Sequence, residues 1–287
     1  MSLLSPQLEA FSAIVKHRTV HSAARELGIT QTGVTQRIRA LEQTLSTTLF
    51  IRSRTGMGLT EEGQALFRYC QGARDLEGQA LAQIHKAGVL SQIQIRITGP
   101  TSIMRSRIIP ACLPIMKEWK NLLLNFQIND ESKLTDELRS GVSHFVIVPP
   151  EDVAREMDSK ILKAERYVLV ASSKWRNRSL TEVIANERII DFDPSDQMSF
   201  NYLRKFGLLD WAKKDRYFAN STEAICEMFC AGLGYGVLTF EFAEPWLKQG
   251  KLFALSGKRC LENHLALVWY PRPHKAPYFD TLIKTLH

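Results

Sequence analysis

Length, composition and charge limit what this chain can be. It has 287 residues, of which 45% are hydrophobic and 23% charged, so it suits two or three compact domains and is not a disordered chain. The formal net charge is +7, and more than half of that excess falls in the first 60 residues. This asymmetry is compatible with nucleic acid or another anionic surface as a partner.

The sequence lacks the signals of membrane insertion and export. No stretch has the roughly 18–20 consecutive apolar residues that a membrane-spanning helix needs, and residues 1–10 lack the basic and apolar pattern of a secretory signal. We therefore expect a cytoplasmic protein without membrane contact. The five cysteines are an odd number and form no C-x-x-C pair, so we expect reduced thiols, no disulfide framework, no metal site and no cofactor.

The first 45 residues have the hydrophobic spacing of three short helices. The predicted helices span residues 6–16, 20–27 and 31–45. Gly28 breaks the second helix and supplies a tight turn, and Thr30 is suited to cap the third. Small side chains at Ala23 and Ala24 let the helices approach closely. Together these features predict a helix-turn-helix.

The outward face of the third helix carries side chains that suit the DNA major groove. Between the apolar positions Val34 and Ile38 it presents amides, hydroxyls and guanidinium groups, which pair with base edges and phosphates. A short hairpin with two arginines follows, where a wing would meet the DNA backbone or minor groove. The predicted DNA-binding residues are Thr30, Gln31, Thr32, Thr35, Gln36, Arg37, Arg39, Arg52 and Arg54. An ordinary helical hairpin with a solvated face is the alternative.

A long helix is predicted to follow the hairpin, from residue 60 to about 86, and to end at Gly88. About 25–28 residues at ~1.5 Å each span roughly 40 Å, enough to separate two domains. Its small and apolar residues recur at steps of three and four, the pattern of a coiled-coil seam. The residues of this seam are Leu66, Tyr69, Ala73, Leu76 and Ala80.

From Gln92 onward, strand patterns alternate with helix patterns, which predicts mainly parallel sheets covered by helices on both faces. The fold class is therefore α/β overall. The predicted strands are 93–98, 122–128, 145–148, 167–171, 188–192, 217–219, 235–240 and 265–270. The predicted helices are 104–119, 133–140, 180–185, 199–206, 222–231 and 277–286.

The N-terminal pattern resembles the LysR-type family of transcriptional regulators. The segments that carry the resemblance are 8–11, 22–27, 29–38, 41–42, 49–50 and 59–63. One departure is Gly33, where Ala or Ser is usual, since glycine costs up to ~1 kcal/mol of helix propensity. It would be explained by close approach to a base pair or to a neighbouring helix.

The resemblance implies a specific domain organisation. An all-α winged helix-turn-helix would occupy residues 1–60, a linker and dimerisation helix 61–90, and a two-lobed α/β effector domain, similar to periplasmic binding proteins, 91–287. Lobe one would combine 91–162 with 268–287, and lobe two would fill 163–267. Homodimers would form through the linker helix and pair as homotetramers, with double-stranded DNA, a small-molecule effector and RNA polymerase as partners.

Four loops of the C-terminal region are candidates for the effector site. In doubly wound sheets, ligands bind beyond the carboxyl ends of strands, where helix N-termini present free N–H groups. Hydroxyls there suit a ligand carboxylate and acids suit a cation, while helix capping and solvated rim charges are the plainer interpretations. The predicted effector-binding residues are Thr98, Pro100, Thr101, Ser102, Asp130, Asp193, Asp196, Ser221, Thr222 and Glu223.

Two observations favour a basic amino acid as the effector. The candidate loops are rich in carboxylates, and Glu131 adds one more. Residues 30–42, 191–198 and 220–224 also resemble the ArgP/LysG branch of the family, which responds to lysine and arginine. The expected function is a sequence-specific DNA-binding transcriptional regulator modulated by such an effector.

Three other functions have less support in the sequence. The seven histidines form no H-E-x-x-H spacing, and the glycine-rich segment 232–236 ends a helix and enters a strand, the reverse of a dinucleotide site, so an enzyme is not expected. A solute-binding transport protein would suit the C-terminal half but needs export. A thiol-based redox-sensing regulator stays open because Cys226 and Cys230 lie one helical turn apart, although their apolar neighbours indicate a buried helix.

Overall fold

The computed structural model describes residues 4–53, 56–84, 93–130, 134–272 and 276–287. Its N-terminal unit contains α1 (Pro6–His17), α2 (Val20–Leu27), α3 (Gln31–Leu45), β1 (Phe50–Ser53) and β2 (Gly56–Leu59). The three helices share one core, in which Phe11, Ala23 and Val34 are fully buried. Gly28 ends α2 with φ 64°, a left-handed conformation that glycine adopts without steric cost. Leu45, at the last position of the predicted inner face, is 44% exposed.

A backbone hydrogen bond connects the hairpin of β1 and β2 to the residue that follows α1. Its strands are antiparallel, with Phe50 opposite Leu59. The Met57 N–H donates to the Arg18 carbonyl over 2.9 Å. A Cβ atom at Gly56 would lie only 2.6 Å from that carbonyl oxygen, so glycine permits the close approach.

The long helix α4 (Glu61–Ile84) begins inside the N-terminal core. The Phe67 ring lies 6.4 Å from the Phe11 ring, centroid to centroid. Farther along the predicted seam, Tyr69 and Leu76 are 62% and 47% exposed. The predicted end of this helix at Gly88 lies outside the described residues.

The C-terminal region alternates strands with helices, as predicted. Its strands are β3 (Ile93–Gly99), β4 (Leu122–Ile128), β5 (Phe145–Val148), β6 (Asp158–Ile161), β7 (Glu165–Ser172), β8 (Ile189–Asp191), β9 (Arg216–Phe218), β10 (Tyr235–Thr239), β11 (Leu252–Ala254), β12 (Leu261–Asn263) and β13 (Ala266–Trp269). Its helices are α5 (Thr101–Ile103), α6 (Ile109–Glu118), α7 (Leu134–Arg139), α8 (Leu180–Asn186), α9 (Met198–Lys205), α10 (Thr222–Ala231), α11 (Phe240–Lys248) and α12 (Pro277–Thr285). A π-helical turn, Met104–Ile108, joins α5 to α6.

These elements form two lobes, each with a sheet that has an apolar core on both faces. The sheet of lobe one has the order β4-β3-β5-β13-β6, and that of lobe two has β11-β7-β10-β8-β9 with β12 also on β7. The prediction of mainly parallel sheets is wrong. Because β7 and β13 enter each lobe from the other one, they run antiparallel to the neighbours with which they pair.

The two chain segments that connect the lobes are paired with each other. Leu162 N–H donates to the Leu265 carbonyl over 2.8 Å, and Glu165 lies opposite Asn263 in the register of β7 and β12. The sheet of lobe one resumes at Ala266, two residues before the expected boundary at 268. Both crossings therefore belong to one antiparallel ladder, which we call the hinge ladder.

One helix of lobe two was not predicted. The sequence pattern extends the strand of β10 to Phe240, but Phe240 is the first residue of α11, which follows with no intervening loop. Pro245 lies inside α11 and removes a backbone donor, which weakens the helical signal of the sequence. Burial of Phe242 and Ala243 against lobe two stabilises the helix.

Candidate DNA-binding surface and effector cleft

The two faces of α3 differ sharply in burial. Val34, Ile38 and Leu41 are buried in the N-terminal core. The opposite face is open to solvent, and its exposed residues are Gln31, Thr32, Gln36 and Arg39. A polar helix face of this kind can enter a major groove without disturbing the core beneath it.

Local hydrogen bonds organise the first turn of α3. The Thr30 hydroxyl accepts from the Gly33 N–H over 3.0 Å and caps the helix. A hydrogen bond of 3.1 Å joins the Gln31 amide to the His21 ring. The Thr35 hydroxyl donates to the Gln31 carbonyl over 2.9 Å, so its proton is already used within the helix. Thr35 can still accept a bond from a base.

The basic side chains of this unit divide into two groups. Within the described residues, Arg37 and Arg39 form no ion pair with an acidic side chain. Lys16, by contrast, pairs with Glu26 over 3.0 Å. Arg52 lies in β1 opposite Met57, and Arg54 lies outside the described residues. Two of the predicted arginines are thus available to an anionic partner.

The predicted residues at the start of α5 are bound by a carboxylate from the loop after β4. The Asp130 carboxylate accepts from the Thr101 N–H over 2.8 Å and from its hydroxyl over 2.5 Å, and Pro100 occupies the N-cap position. Asp130 therefore caps α5 from the loop after β4, and Thr101 is the donor in both bonds and not the cap. Asp130 itself remains exposed at the carboxyl edge of the lobe-one sheet.

Thr98 lies deeper. It is fully buried, and its hydroxyl is shared between Ser143 at 2.6 Å and Glu137 at 3.0 Å. It therefore has no surface to offer an effector in this arrangement of the lobes.

A buried carboxyl group that the sequence analysis missed lies on the hinge ladder. Glu165 is 2% exposed and accepts from the Ser102 hydroxyl over 3.0 Å, so it links β7 to lobe one. Burial raises the pKa of Glu165 to about 7 against the opposing effects of the Ser102 bond and the Arg107 charge. The available signal was a carboxylate at the first position of a strand that is otherwise apolar from Val168 to Ala171.

A second residue that the sequence analysis missed joins the two lobes. Arg105, in the π-helical turn of lobe one, forms an ion pair with Glu223 on α10 of lobe two. Its guanidinium also lies 5.1 Å above the Phe242 ring and 5.9 Å from that of Trp246. The predicted effector residue Glu223 is thus already bound to a cation.

In the acidic loop between β8 and α9, the carboxylates accept hydrogen bonds from the backbone of the loop itself. Asp193 accepts from the backbone N–H groups of Ser195 and Asp196 over 2.6 and 3.1 Å. Asp196 accepts from the Met198 N–H over 2.8 Å and from that of Phe192 over 3.2 Å. These two carboxylates shape the loop before α9.

The start of α10 has a similar structure. The Ser221 hydroxyl accepts from the Ala224 N–H over 3.3 Å and caps α10, of which Thr222 is the first residue. Glu131 lies outside the described residues.

The cysteines are free and mostly buried. Burial raises the pKa of Cys112 and of Cys226 to about 12, and it also raises the pKa of Cys230. Thiols in such surroundings stay protonated, which disfavours the redox-sensing alternative. In the part of the chain described, no cluster of three His, Cys, Asp or Glu residues could hold a metal ion, and no helix has the length and apolarity to cross a membrane.

Comparison with known protein families decides the assignment. Residues 6–64 match the model of the bacterial regulatory helix-turn-helix protein, LysR family, and residues 90–287 match that of the LysR substrate binding domain. The chain belongs to the LysR family. It is a DNA-binding transcriptional regulator with a C-terminal effector-binding domain, and the alternative of a transport protein is not retained.

Relatives and solved structures of this family resemble the chain along its whole length. The HTH-type transcriptional regulator ArgP of Photorhabdus laumondii is 26% identical over 264 residues, which cover 90% of this chain and 86% of that protein. The crystal structure of ArgP from Mycobacterium tuberculosis has a TM-score of 0.79 at 23% identity and covers 99% of this chain and 96% of that one. Full-length LysG from Corynebacterium glutamicum with bound effector Arg has a TM-score of 0.75 at 20% identity, with the same coverage.

Proposed function

We propose that this regulator responds to a basic amino acid, lysine or arginine, that binds in the cleft between the two lobes. The observation that carries the proposal is the ion pair of Arg105 with Glu223, because it places a guanidinium against a carboxylate where the two lobes meet. The ArgP relatives and the arginine-bound LysG structure support the same class of effector.

We assign the effector contacts to both lobes. Asp130 and Glu223 would supply negative charge from lobe one and lobe two, and Ser102 would supply a hydroxyl between them, backed by Glu165. The other predicted contacts shape the loops around these groups. They are Pro100, Thr101, Asp193, Asp196, Ser221 and Thr222.

We propose that α3 reads DNA. Gln31, Thr32 and Gln36 would contact base edges, and the arginines of α3 and of the hairpin would contact phosphates, which fixes the register of the protein on the duplex. A dimer would then recognise an inverted repeat whose half-sites lie about one helical turn or more apart. The polar face of α3, which is exposed and lacks acidic residues, supports this assignment.

We extend the proposal to the domain division of the chain, its assembly and its location in the cell. The winged unit would span 1–60, the linker 61–90 and the effector domain 91–287, with homodimers formed through the linker and paired as homotetramers. We propose RNA polymerase as a further partner beside DNA, and we therefore propose that the protein lies in the cytoplasm and acts by binding and not by catalysis. An effector that binds the two arrangements of the lobes unequally would shift the equilibrium between them.

Calorimetric titration of the full-length protein with L-arginine and L-lysine tests the effector class. We expect at least one of them to bind, and neutral L-citrulline and L-norleucine to bind at least about tenfold more weakly, because they lack the side-chain charge. Glu223→Gln should weaken binding of the basic amino acid, whereas Glu262→Gln, which alters an exposed carboxylate of β12, should not. Absence of heat from both basic amino acids would contradict the proposal.

A further inference from the structure

The side chains of His21 and Gln31 meet on the solvent-exposed side of the helix-turn-helix. His21 lies in the first turn of α2, and Gln31 is the first residue of α3. They lie ten positions apart in the sequence, yet the Gln31 Nε2 atom is 3.1 Å from the His21 Nδ1 atom. A side chain of α2 therefore contacts the first residue of the helix that we propose to read DNA.

The backbone positions of both residues are fixed by helix caps and by the turn between the helices. Thr19 caps α2 and Thr30 caps α3, each through its hydroxyl. Between these caps, the Ile29 N–H donates to the Ala24 carbonyl over 3.1 Å and closes the turn at Gly28. The two side chains therefore extend from a rigid turn and meet without any displacement of the helices.

The chemistry of the pair determines which end of the Gln31 amide faces His21. The amide nitrogen lies against Nδ1 of the ring. Because an amide nitrogen only donates, Nδ1 accepts, and the neutral ring carries its proton on Nε2. The bond uses one of the two amide N–H groups of Gln31. The second N–H and the side-chain oxygen remain for another partner.

A glutamine amide held in this way presents its acceptor and its donor in one order. In the major groove, glutamine recognises adenine with two bonds, in which it accepts from N6–H and donates to N7. Turning the amide over exchanges its oxygen and its nitrogen, so an amide that is free to turn fits more than one base pair. An amide that is held by a neighbouring acceptor favours a single one.

We propose that His21 is a positioning residue for DNA recognition, which holds the Gln31 amide in the orientation that reads an adenine in the major groove. This inference rests on the proposal that α3 reads DNA. His21 acts through Gln31 and not on the base itself. Its effect is therefore on the choice of base at one position of each half-site, with little effect on the preference at the other positions.

A structural contact between α2 and α3 is the plainer interpretation of this pair. Both side chains are exposed, and the two helices already share the buried core that contains Ala23 and Val34. A single hydrogen bond between exposed groups adds little to that packing. Loss of a structural contact would move α3 as a whole and weaken the base preference along the entire half-site, including the base pairs read by Gln36. Loss of a positioning contact would affect only the base pair read by Gln31.

Two replacements of His21 in the full-length protein test the proposal. His21→Ala removes the acceptor, and we expect it to reduce the discrimination at the base pair read by Gln31 by at least about fivefold. His21→Asp places a carboxylate oxygen where the ring has Nδ1, and this oxygen only accepts. It should therefore retain the preferred base, although its negative charge weakens binding to all sequences alike.

Selection of bound fragments from random DNA identifies the preferred site of each variant. Affinities are then measured on duplexes that differ at one base pair only, so that a uniform change of affinity cancels. Gln31→Ala identifies the base pair that Gln31 reads. His17→Ala is the matched control, because His17 is a histidine of the same unit that bonds to Glu26 and should leave every base preference unchanged. Thermal unfolding of each variant verifies that it is folded.

Three results would overturn the proposal. The first is a discrimination that Gln31→Ala removes and His21→Ala leaves intact. The second is a loss in His21→Ala that extends along the entire half-site, which would assign the pair to structure. Both results leave the proposal that α3 reads DNA in place. The third is an unchanged base preference in Gln31→Ala, which would remove Gln31 from base recognition and this inference with it.

Discussion

Arg105 of lobe one and Glu223 of lobe two connect the two lobes through an ion pair. Their side chains are 50% and 46% exposed, so the pair contributes little to the free energy of folding, about 0–1 kcal/mol. Its consequence for binding is larger. A basic effector that uses Glu223 has to displace a guanidinium of the protein itself.

Arg105→Gln should therefore strengthen binding of the basic effector. Removal of the internal competitor leaves Glu223 free, and we expect an increase in affinity of about fivefold, equivalent to about 1 kcal/mol. Calorimetry on the full-length protein measures it. Arg155→Gln, which alters an exposed arginine of lobe one with no ion pair in the described structure, is the matched control. Weaker binding in Arg105→Gln would show that Arg105 contacts the effector directly.

Glu165→Gln should flatten the dependence of stability on pH. Burial raises the pKa of Glu165 to about 7 in the folded protein, above its ordinary value of 4.5. Stability from this group is therefore present below pH 4.5 and is lost as the pH rises through 7.

Between pH 5 and 8 we expect the unmodified protein to lose about 2–3 kcal/mol of unfolding free energy relative to Glu165→Gln. Urea denaturation at several pH values gives this difference. Ser102, Arg107 and Glu241 also act on Glu165 and are unchanged in the variant. Glu262→Gln should show the same decrease of unfolding free energy with pH as the unmodified protein. If the unmodified protein, Glu165→Gln and Glu262→Gln all show the same pH dependence, Glu165 is not the group responsible.

Gln36→Ala should change the sequence preference of DNA binding. If this exposed amide of α3 contacts a base edge, its loss costs about 1–3 kcal/mol for the preferred base pair and little for the others. Selection of bound fragments from random DNA, followed by affinity measurements, tests this. Gln43→Ala lies two turns farther along α3 and should leave the preference intact. An unchanged preference in Gln36→Ala would move the recognition surface elsewhere.

Gly28→Ala should destabilise the N-terminal unit by about 1 kcal/mol. Gly28 has φ 64°, and a Cβ atom there would meet nothing within 4 Å, so the cost comes from the backbone conformation and not from a clash. Gly28→Asn should cost less, because asparagine tolerates the left-handed region better. Thermal unfolding of both variants measures the loss of stability in each. Equal losses in Gly28→Ala and Gly28→Asn would contradict a cost that comes from the backbone conformation.

Cys226 should resist thiol reagents in the folded protein. Burial raises its pKa to about 12, so almost none of it is thiolate at neutral pH. Labelling with iodoacetamide at pH 7.5 and mass spectrometry should find Cys226 modified only after unfolding. DNA binding should likewise survive mild peroxide treatment. Rapid native labelling with loss of DNA binding would restore the redox-sensing alternative.

Local patterns were sufficient to predict most elements of this fold. Helices α2, α3 and α10 have the predicted bounds, because each combines an N-terminal hydroxyl cap with apolar spacing, and α2 and α10 also end at a glycine. Strands β4 and β5 also have the predicted bounds. Helix α11 was missed where a local signal, Pro245, opposed the burial of an apolar face that only the folded lobe provides.

The candidate cleft was predictable only in part. The candidate loops follow β3, β4, β8 and β9, and because β3 runs parallel to β4 and β8 parallel to β9, their carboxyl ends share one edge in each lobe. The pairs that define the cleft join residues far apart in sequence: Ser102 bonds to Glu165, 63 positions away, and Arg105 to Glu223, 118 positions away. No local pattern specifies which distant side chains meet, so Glu165 and Arg105 were not predicted.

The hinge ladder limits how the lobes can respond to an effector. Since the two crossings are bonded to each other from Ile161 to Tyr167, sliding one lobe past the other would break that ladder. Twisting or bending about the ladder preserves it. We therefore expect effector binding to rotate one lobe relative to the other about the hinge ladder, with little translation.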